Sequence, residues 1–376
     1  MQTDEYGFGE KENRIRDMNN FFSKTKQHYN QNLPFVIYSK PNTSSVFGLL
    51  QQNNTLHKIS DYSEKGFVFA SFDEKELVLI PENESEIITA EKESTAFESF
   101  ETDDLYFDAD AKIQYEDLVS KGIEAIKNEE FKKVVLSRSE KAALSEFDFI
   151  ETFQHLVQLY PTTFCYCFFH PQIGLWMGAT PEQLLKANGN VFETTALAGT
   201  QKANLETEIR WEQKEKDEQQ YVTDFIVKRL REVANSVVVT EPYSLKAGSI
   251  WHIKTDISGV LNENSTLEEV IDTLHPTPAV CGLPKKKAKA FIIENENYDR
   301  TFYTGFLGEL NSSFANESVS SDLFVNLRSM QIQNKTAILY MGCGITKESI
   351  PEKEWEESVN KSMTMKRVLR VMSYEL

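Results

Sequence analysis

Along this chain apolar residues alternate with polar ones or gather in short runs punctuated by turn residues, which is the texture of strands. Up to about Asp110 the runs are brief, at 35–38, 45–50, 67–70 and 77–80, with acidic, polar stretches such as 81–93 between them. Beyond Asp110 they lengthen. Strands are predicted at 133–142, 163–169, 175–179, 191–198, 237–240, 250–257, 303–310, 323–332 and 337–341. A 3.6-residue period predicts helices at 115–126, 206–235, 267–274, 285–294 and 354–372. No repeat or low-complexity linker interrupts the series. The expectation is an α+β protein: a large unit over 111–376, with a strand-rich part, 1–110, packed into the same body.

Composition narrows the partners. At 376 residues and 40% hydrophobic, the chain has ample material for a sizeable core. No apolar stretch is long enough to span a bilayer, and the opening Met1-Gln2-Thr3-Asp4-Glu5 lacks the basic and apolar regions of a signal peptide, so a cytoplasmic protein is expected. A formal charge of -18 argues against nucleic acid or an anionic membrane as the main partner. An anionic small molecule stays open if local cations or a metal reverse the field. Cys165, Cys167, Cys281 and Cys343 form no CxxC pair and read as reduced structural thiols. The pattern does not give an oligomeric state; a monomer is compatible with it.

Chemistry enters where charge interrupts the apolar pattern. Lys133 leads the run Phe131-Lys132-Lys133-Val134-Val135-Leu136-Ser137-Arg138 and shares a strand face with Val135 and Ser137. A lysine there either snorkels to solvent or is tuned by burial into a base. In Gly178-Ala179-Thr180-Pro181-Glu182 the last residue is either a helix-start acid behind Pro181 or a carboxylate presented on a turn. Leu197-Ala198-Gly199-Thr200 ends a strand in a small-residue turn, where Gly199 lets a ligand approach the backbone. On the long helix Glu218 falls in one row with Tyr221, Val222, Phe225 and Arg229; it needs a partner charge or a metal unless it sits just past the end of the buried stripe.

Glu357 and Lys361 repeat that arrangement at the head of a row with Met365, Val368 and Met372. They form either an ordinary i,i+4 pair or, through Glu357 together with Glu218, oxygen ligands for one hard cation, for which magnesium fits best. Arg328, inside the 323–332 run, suggests a bidentate carboxylate clamp. Gly342 and Gly344, in Leu339-Tyr340-Met341-Gly342-Cys343-Gly344-Ile345, bring N–H groups within reach of an anion at a strand end. His275-Pro276-Thr277-Pro278-Ala279 adds a histidine and a rigid turn.

Taken in order, these segments resemble the chorismate-utilising enzymes. The resemblance runs from about Tyr115 to the C-terminus and rests on the segments at 133–138, 178–182, 197–200 and 275–279, on Asp299-Arg300 with Gly305, on Gly342-Cys343-Gly344-Ile345, and on Glu357-Ser358 with Lys361. It implies two large, mainly antiparallel β-sheets packed together with helices outside, a buried site, magnesium, and chorismate as substrate. Anthranilate synthases look similar but carry glutamine where Lys133 stands and use ammonia; aminodeoxychorismate synthases carry a lysine nucleophile where Ala198 stands. Lys133 with Ala198 therefore points to water as nucleophile and to an isomerase of the isochorismate-forming branch.

The resemblance assigns Lys133 as the base that activates water and Glu182 as the acid for the departing C4 hydroxyl. It assigns Glu218 and Glu357 to magnesium, and Arg328 with the N–H groups near Gly342 and Gly344 to the enolpyruvyl carboxylate. Gly199, Thr200, Ala279, Tyr303 and Lys361 line the pocket. The family places histidine directly after the helix glutamate, where this chain has Gln219, and Glu215 is the acid at a neighbouring offset. The salicylate-forming branch, which goes on to eliminate pyruvate, is the nearest alternative, and a non-catalytic binding protein of the same fold is the next. Whether the product serves menaquinone or a catechol siderophore is not written in the sequence.

Overall fold

The computed structural model describes residues 17–92, 108–202, 209–247, 250–314 and 320–370. In chain order its strands are β1 Phe35–Ser39, β2 Ser45–Gln51, β3 His57–Lys58, β4 Gly66–Ala70, β5 Leu77–Pro81, β6 Ser85–Glu91, β7 Lys133–Ala143, β8 Phe164–His170, β9 Gly174–Thr180, β10 Gln183–Asn188, β11 Val191–Lys202, β12 Ala234–Val239, β13 Tyr243–Ala247, β14 Ile250–Leu261, β15 Gly282–Leu283, β16 Phe306–Leu310, β17 Ser321–Val325, β18 Ser329–Gln333 and β19 Thr336–Ile345. The helices are α1 Met18–Asn30, α2 Ala109–Lys127, α3 Phe149–Leu159, α4 Gln213–Val233, α5 Leu267–Leu274, α6 Lys285–Asn295 and α7 Pro351–Lys366. Aspartates cap three of them: Asp17, Asp108 and Asp148 accept from backbone N–H groups in the first turns of α1, α2 and α3.

The strands form two antiparallel sheets. One is nine-stranded, in the order β15-β7-β19-β18-β9-β8-β1-β2-β6; the other is ten-stranded, in the order β12-β14-β11-β10-β17-β16-β4-β5-β3, with β13 also on β14. The near-continuous apolar runs that predicted strands are explained by burial on both faces. In β1, Val36 and Tyr38 join an aromatic core between the sheets with Phe67, Phe69, Phe164, Tyr166, Phe168, Trp176 and Phe324. Phe35 and Ile37 point the other way, into a second core under α1 and α3 with Phe21, Phe153, Cys165 and Cys167. A third core lies between the ten-stranded sheet and α4 and α5, and a fourth under α2, α6 and α7. Each large apolar side chain so buried stabilises the fold by roughly 1.5–3 kcal/mol. Strands from both sides of residue 110 enter both sheets, so β1 pairs with β8 and β4 with β16. All four cysteines are free and buried.

Several expectations change in ways that position the site. The run at 323–332 is two strands, β17 in the ten-stranded sheet and β18 in the nine-stranded one. Arg328 is therefore not inside a strand but on the bend between sheets, with φ 47°. A non-glycine in that left-handed region carries roughly 1 kcal/mol of strain, tolerated here because the chain must switch sheets. Directly beside it, β9 ends in one sheet at Thr180 and β10 begins in the other at Gln183. The two crossovers brace each other: Thr180 Oγ1 donates to Val325 O at 2.5 Å, Val325 N to Glu182 O at 2.9 Å, and Ala179 N to Arg328 O at 3.0 Å. Pro181 thus starts no helix; Pro181 and Glu182 are the link between sheets.

The strand predicted at 303–310 begins only at Phe306, leaving Tyr303 in the preceding turn. The strands predicted to end at 198 and 341 continue, through Gly199 to Lys202 and through Gly342 and Gly344 to Ile345. Helix α4 begins at Gln213, with 206–208 outside the described residues; α7 ends at Lys366, and 371–372 also lie outside.

Candidate active site

The site is built where the paired crossovers meet the near end of β7. Lys133 opens β7 half-buried, next to β15, where Leu283 lies opposite it. A Cβ built on Gly344 would stand 3.1 Å from Lys133 Cε and 3.5 Å from its Nζ, so the lysine side chain lies across this glycine. Glu182 keeps some accessible surface, yet protein encloses its carboxyl. Burial pushes its pKa up to about 7, against the pull of the Thr277 hydroxyl, Lys133 and Arg328. Thr277 Oγ1 donates to Glu182 Oε1 at a long 3.4 Å. A half-buried acid that stays protonated near neutrality is placed to act as a proton donor.

The edge of β19 supplies the opposite wall. Val135 N donates to Cys281 O and Ser137 N to Glu296 Oε1, both away from β19. Their partners in register, Gly344 and Gly342, therefore form non-hydrogen-bonded pairs with β7 and turn their N–H and C=O groups to the other side. There the β18–β19 ladder ends at Ser329 opposite Tyr340, because the chain has already turned away at Arg328. The glycine amides and Arg328 thus converge on one place, suited to a carboxylate. Gly342 O accepts from Lys361 Nζ at 2.8 Å, and a Cβ on Gly342 would stand 3.1 Å from the Tyr303 hydroxyl. Tyr303 is buried, stacked on Tyr340 at 5.5 Å, and its pKa is raised by burial against the pull of Arg300 and Arg328.

Helix α7 adds acids to this wall. Lys361 Nζ pairs with Glu357 Oε1 at 2.6 Å. Burial works to raise the Glu357 pKa, but Lys361 and Arg328 outweigh it and hold the group ionised, below the usual carboxylate range. Cys343, Glu354 and Glu357 offer ligand atoms within 4.8 Å of one another. Burial pushes the Cys343 thiol up to about 12, so it stays protonated and donates to Glu354 O. What is left for a cation is a pair of carboxylates, a hard-oxygen set that fits magnesium better than a thiophilic metal.

On α4 the side chain of Glu218 lies outside the described atoms, as does that of Thr200. One turn earlier, Glu215 holds a carboxylate oxygen, Oε2, that is buried without a hydrogen-bond partner. Such an orphan is costly unless a cation or ligand meets it. The buried row of α4 is rotated from the predicted one: Val222, Ile226 and Leu230 face the core, with Gln219 donating to Thr223 and Thr255. Tyr221, expected inside, is 54% exposed, with Lys132 Nζ 4.7 Å above its ring. Gly199 (φ 73°) sits at a bulge in β11, and the space a Cβ would take is filled by Glu215. Its bareness admits α4 rather than an open ligand path.

Lys133, Glu182, Tyr303, Arg328, Gly342, Gly344, Glu357 and Lys361 are therefore gathered in one region. Ala279 lies half-buried two residues beyond Thr277. Thr277, Glu354 and His252 had no separate signal in the sequence. His252 Nδ1 lies 3.1 Å from Gly199 O; burial lowers its pKa, helped by Lys361 and Arg328. His275 is buried against Phe306, and burial takes its pKa down to about 3, which marks it as core. An open cleft of about 510 Å³ lies elsewhere, beyond the opposite end of β10, lined by Asn190, Asn235, Asn262, Ser265 and Asn311 and without an acid–base pair.

The protein family described as "Chorismate binding enzyme" matches residues 12–370. Isochorismate synthase DhbC of Bacillus subtilis (strain 168) is 31% identical over 205 residues, 52% of this chain and 50% of that one. Anthranilate synthase component 1 of Aquifex aeolicus is 30% identical over 272 residues, 69% of this chain and 53% of that one. The chain thus spans about half the length of these curated relatives. The solved structure of MenF, the menaquinone-specific isochorismate synthase from Escherichia coli, superposes with a TM-score of 0.73 over 90% of this chain and 89% of that one. At 22% identity that likeness speaks for the fold.

Proposed function

Since the chain belongs to the chorismate-binding enzyme family, we propose that it is an isomerase that converts chorismate to isochorismate, with water adding at C2 as the C4 hydroxyl departs. The observation that carries this reading is the Glu182 carboxyl at the crossover, which burial keeps protonated up to about pH 7 with Lys133 close by at the start of β7. In this reading Lys133 takes the proton of the attacking water, and protonated Glu182 gives its proton to the leaving hydroxyl, which departs as water. Ala198, a buried methyl, offers no amine to compete with water. Arg328 and the turned-out amides of Gly342 and Gly344 hold one carboxylate of the substrate. The chain is acidic overall, but Arg328 and Lys361 make the site locally positive for a dianion.

Glu354 and Glu357, with Glu215 and Glu218 from α4, are the residues that would hold magnesium. When bound, the ion would neutralise and orient the ring carboxylate. Chromatography of products formed from chorismate and Mg2+, with either water or added ammonium as nucleophile source, tests the proposal. Isochorismate is expected in both cases. Salicylate without a second enzyme would move the assignment to elimination, anthranilate to amination, and complete inertness to a binding protein. Lys133→Ala should lose turnover while staying folded by circular dichroism.

A further inference from the structure

A carboxyl that gives up a proton has to be held at a fixed reach, and the backbone beside Glu182 is irregular. Between Gln183 and Leu185, β10 shifts register against β17, a bulge that re-aims neighbouring side chains. Gln183 Nε2 donates to Asp322 Oδ1 at 2.8 Å. The other oxygen of Asp322 meets Lys40 Nζ at 3.0 Å, and Lys40 also reaches Glu309 Oε2 at 2.5 Å. Tyr38 Oη completes the chain, donating to Glu309 Oε1 at 2.5 Å. Glu309 is wholly buried, and the side chains of Lys40 and Asp322 are only 13% and 12% exposed. The contacts run from β1 in one sheet through β16 and β17 to the first residue of β10 in the other. Two carboxylates around one ammonium in an interior are a poor device for stability alone, since apolar side chains would join the sheets as well. Their value is orientation, because each oxygen accepts from one defined direction.

We propose that Gln183, Asp322 and Lys40 are positioning residues that fix the β10 bulge and, through it, the reach of Glu182 toward Thr277 and Lys133. The inference rests on Glu182 being the proton donor. Lys40 holds Asp322, Asp322 holds the Gln183 amide, and that amide pins the backbone one residue after the acid, while Val325 N pins the Glu182 carbonyl. The groups that face the Glu182 carboxyl are Thr277 from the loop after α5, Lys133 from β7 and Arg328 from the bend. None of them touches Gln183 in the network just described, so a change in Glu182 titration on altering Gln183 reports its placement.

The test uses Gln183→Ala in the full chain, assayed with chorismate and Mg2+, because that change leaves the Lys40 pairing in place. Turnover should fall about tenfold with KM unchanged, as small misplacements of reacting groups do. The alkaline limb of the pH profile, expected near pH 7 where Glu182 loses its proton, should move to lower pH in this variant as the freed carboxyl gains solvent. Lys40→Ala should move the limb the same way, and added n-propylamine, which supplies an ammonium, should move it back. Glu182→Gln is run alongside. If Gln183→Ala keeps the parent turnover and pH limb while Glu182→Gln is inactive, the positioning role is overturned and the acid role stands. If Glu182→Gln turns over at the parent rate, the acid role falls and takes the positioning role with it.

Discussion

Two carboxylates lie within reach of strand β7 and are treated in opposite ways. Glu296 accepts from Ser137 N at 2.7 Å, from Ser137 Oγ at 2.8 Å, and from Arg300 Nε and Nη2 at 2.7 and 2.5 Å. Arg300 spends its other donors on Val280 O, Val135 O and Thr304. That pair is 2% exposed on both sides and leaves Glu296 nothing to offer a ligand. Glu182, at the mouth of the same strand, has one long hydroxyl contact, Lys133 and Arg328 nearby and a raised pKa. The difference separates scaffold from chemistry: a fully satisfied buried charge holds a shape, whereas a poorly satisfied one keeps a proton that can be given away.

The largest effect expected from breaking this contrast is at Glu182. Glu182→Gln should lower turnover about 10²–10⁴-fold, the usual worth of a positioned acid. Stability should move the opposite way. The carboxyl titrates ordinarily at 4.5 and here at about 7. Between those values the unfolded chain has lost the proton and the folded one keeps it, so the parent loses stability as pH rises through that window. Glutamine does not titrate. The melting temperature of Glu182→Gln should therefore climb relative to the parent from pH 4.5 to about 7 and level off above, and a gap independent of pH would mean that the folded carboxyl is not protonated.

At the satisfied pair the expected loss is in folding. Arg300→Met leaves Glu296 buried beside Ser137 without its cation, a change that costs about 3–5 kcal/mol. Adding Glu296→Gln removes the stranded charge and should restore much of that loss, as read by denaturant midpoints of both variants. A double variant no more stable than the single one would mean that Arg300 acts through Val135 O and Val280 O rather than through Glu296.

How much of this contrast can be read from sequence depends on the kind of relation involved. Apolar runs such as 164–169 and 175–177 give their strands because burial on both faces leaves no polar position to blur the period. Lys133 and Glu182 stand out as charges at the ends of such runs, and Glu357 and Lys361 as charges at the head of an apolar helix row. Arg328 misleads, since its neighbours look like one strand, and the sheet switch that bends the chain there is a property of pairing with β9 and β10. Tyr221 and Glu218 sit on a helix whose apolar row is sparse, so a rotation of one position changes which side is inside. Glu354 and Lys40 come to their places from distant segments with no local signal, and Thr277 lies in the 275–279 turn with no charge to set it apart from its neighbours. Helices α1 and α3 are not among the predicted elements, although Phe149, Ile150, Phe153, Leu156 and Val157 of α3 recur at helical spacing and Phe153 and Leu156 are completely buried.

The smallest effect, and the finest test of the contrast, is at the two glycines of β19. A methyl on Gly344 meets only the far end of Lys133, with Cε at 3.1 Å and Nζ at 3.5 Å. A flexible side chain can give way by a few tenths of an ångström, so Gly344→Ala should leave stability nearly unchanged. The same shift moves the proposed base, however, and turnover should fall about tenfold. A methyl on Gly342 instead meets Leu136 O, Ser137 Cβ and the Tyr303 hydroxyl, all at 3.1 Å, in a buried and close-packed setting. Gly342→Ala should thus lower stability by about 1–3 kcal/mol, the usual result of overpacking. Thermal melts and turnover measured on both variants give the comparison. If Gly344→Ala loses stability and keeps its rate, Lys133 is held by packing like its neighbours on β7, and the boundary between scaffold and chemistry lies nearer the mouth of the site than Lys133.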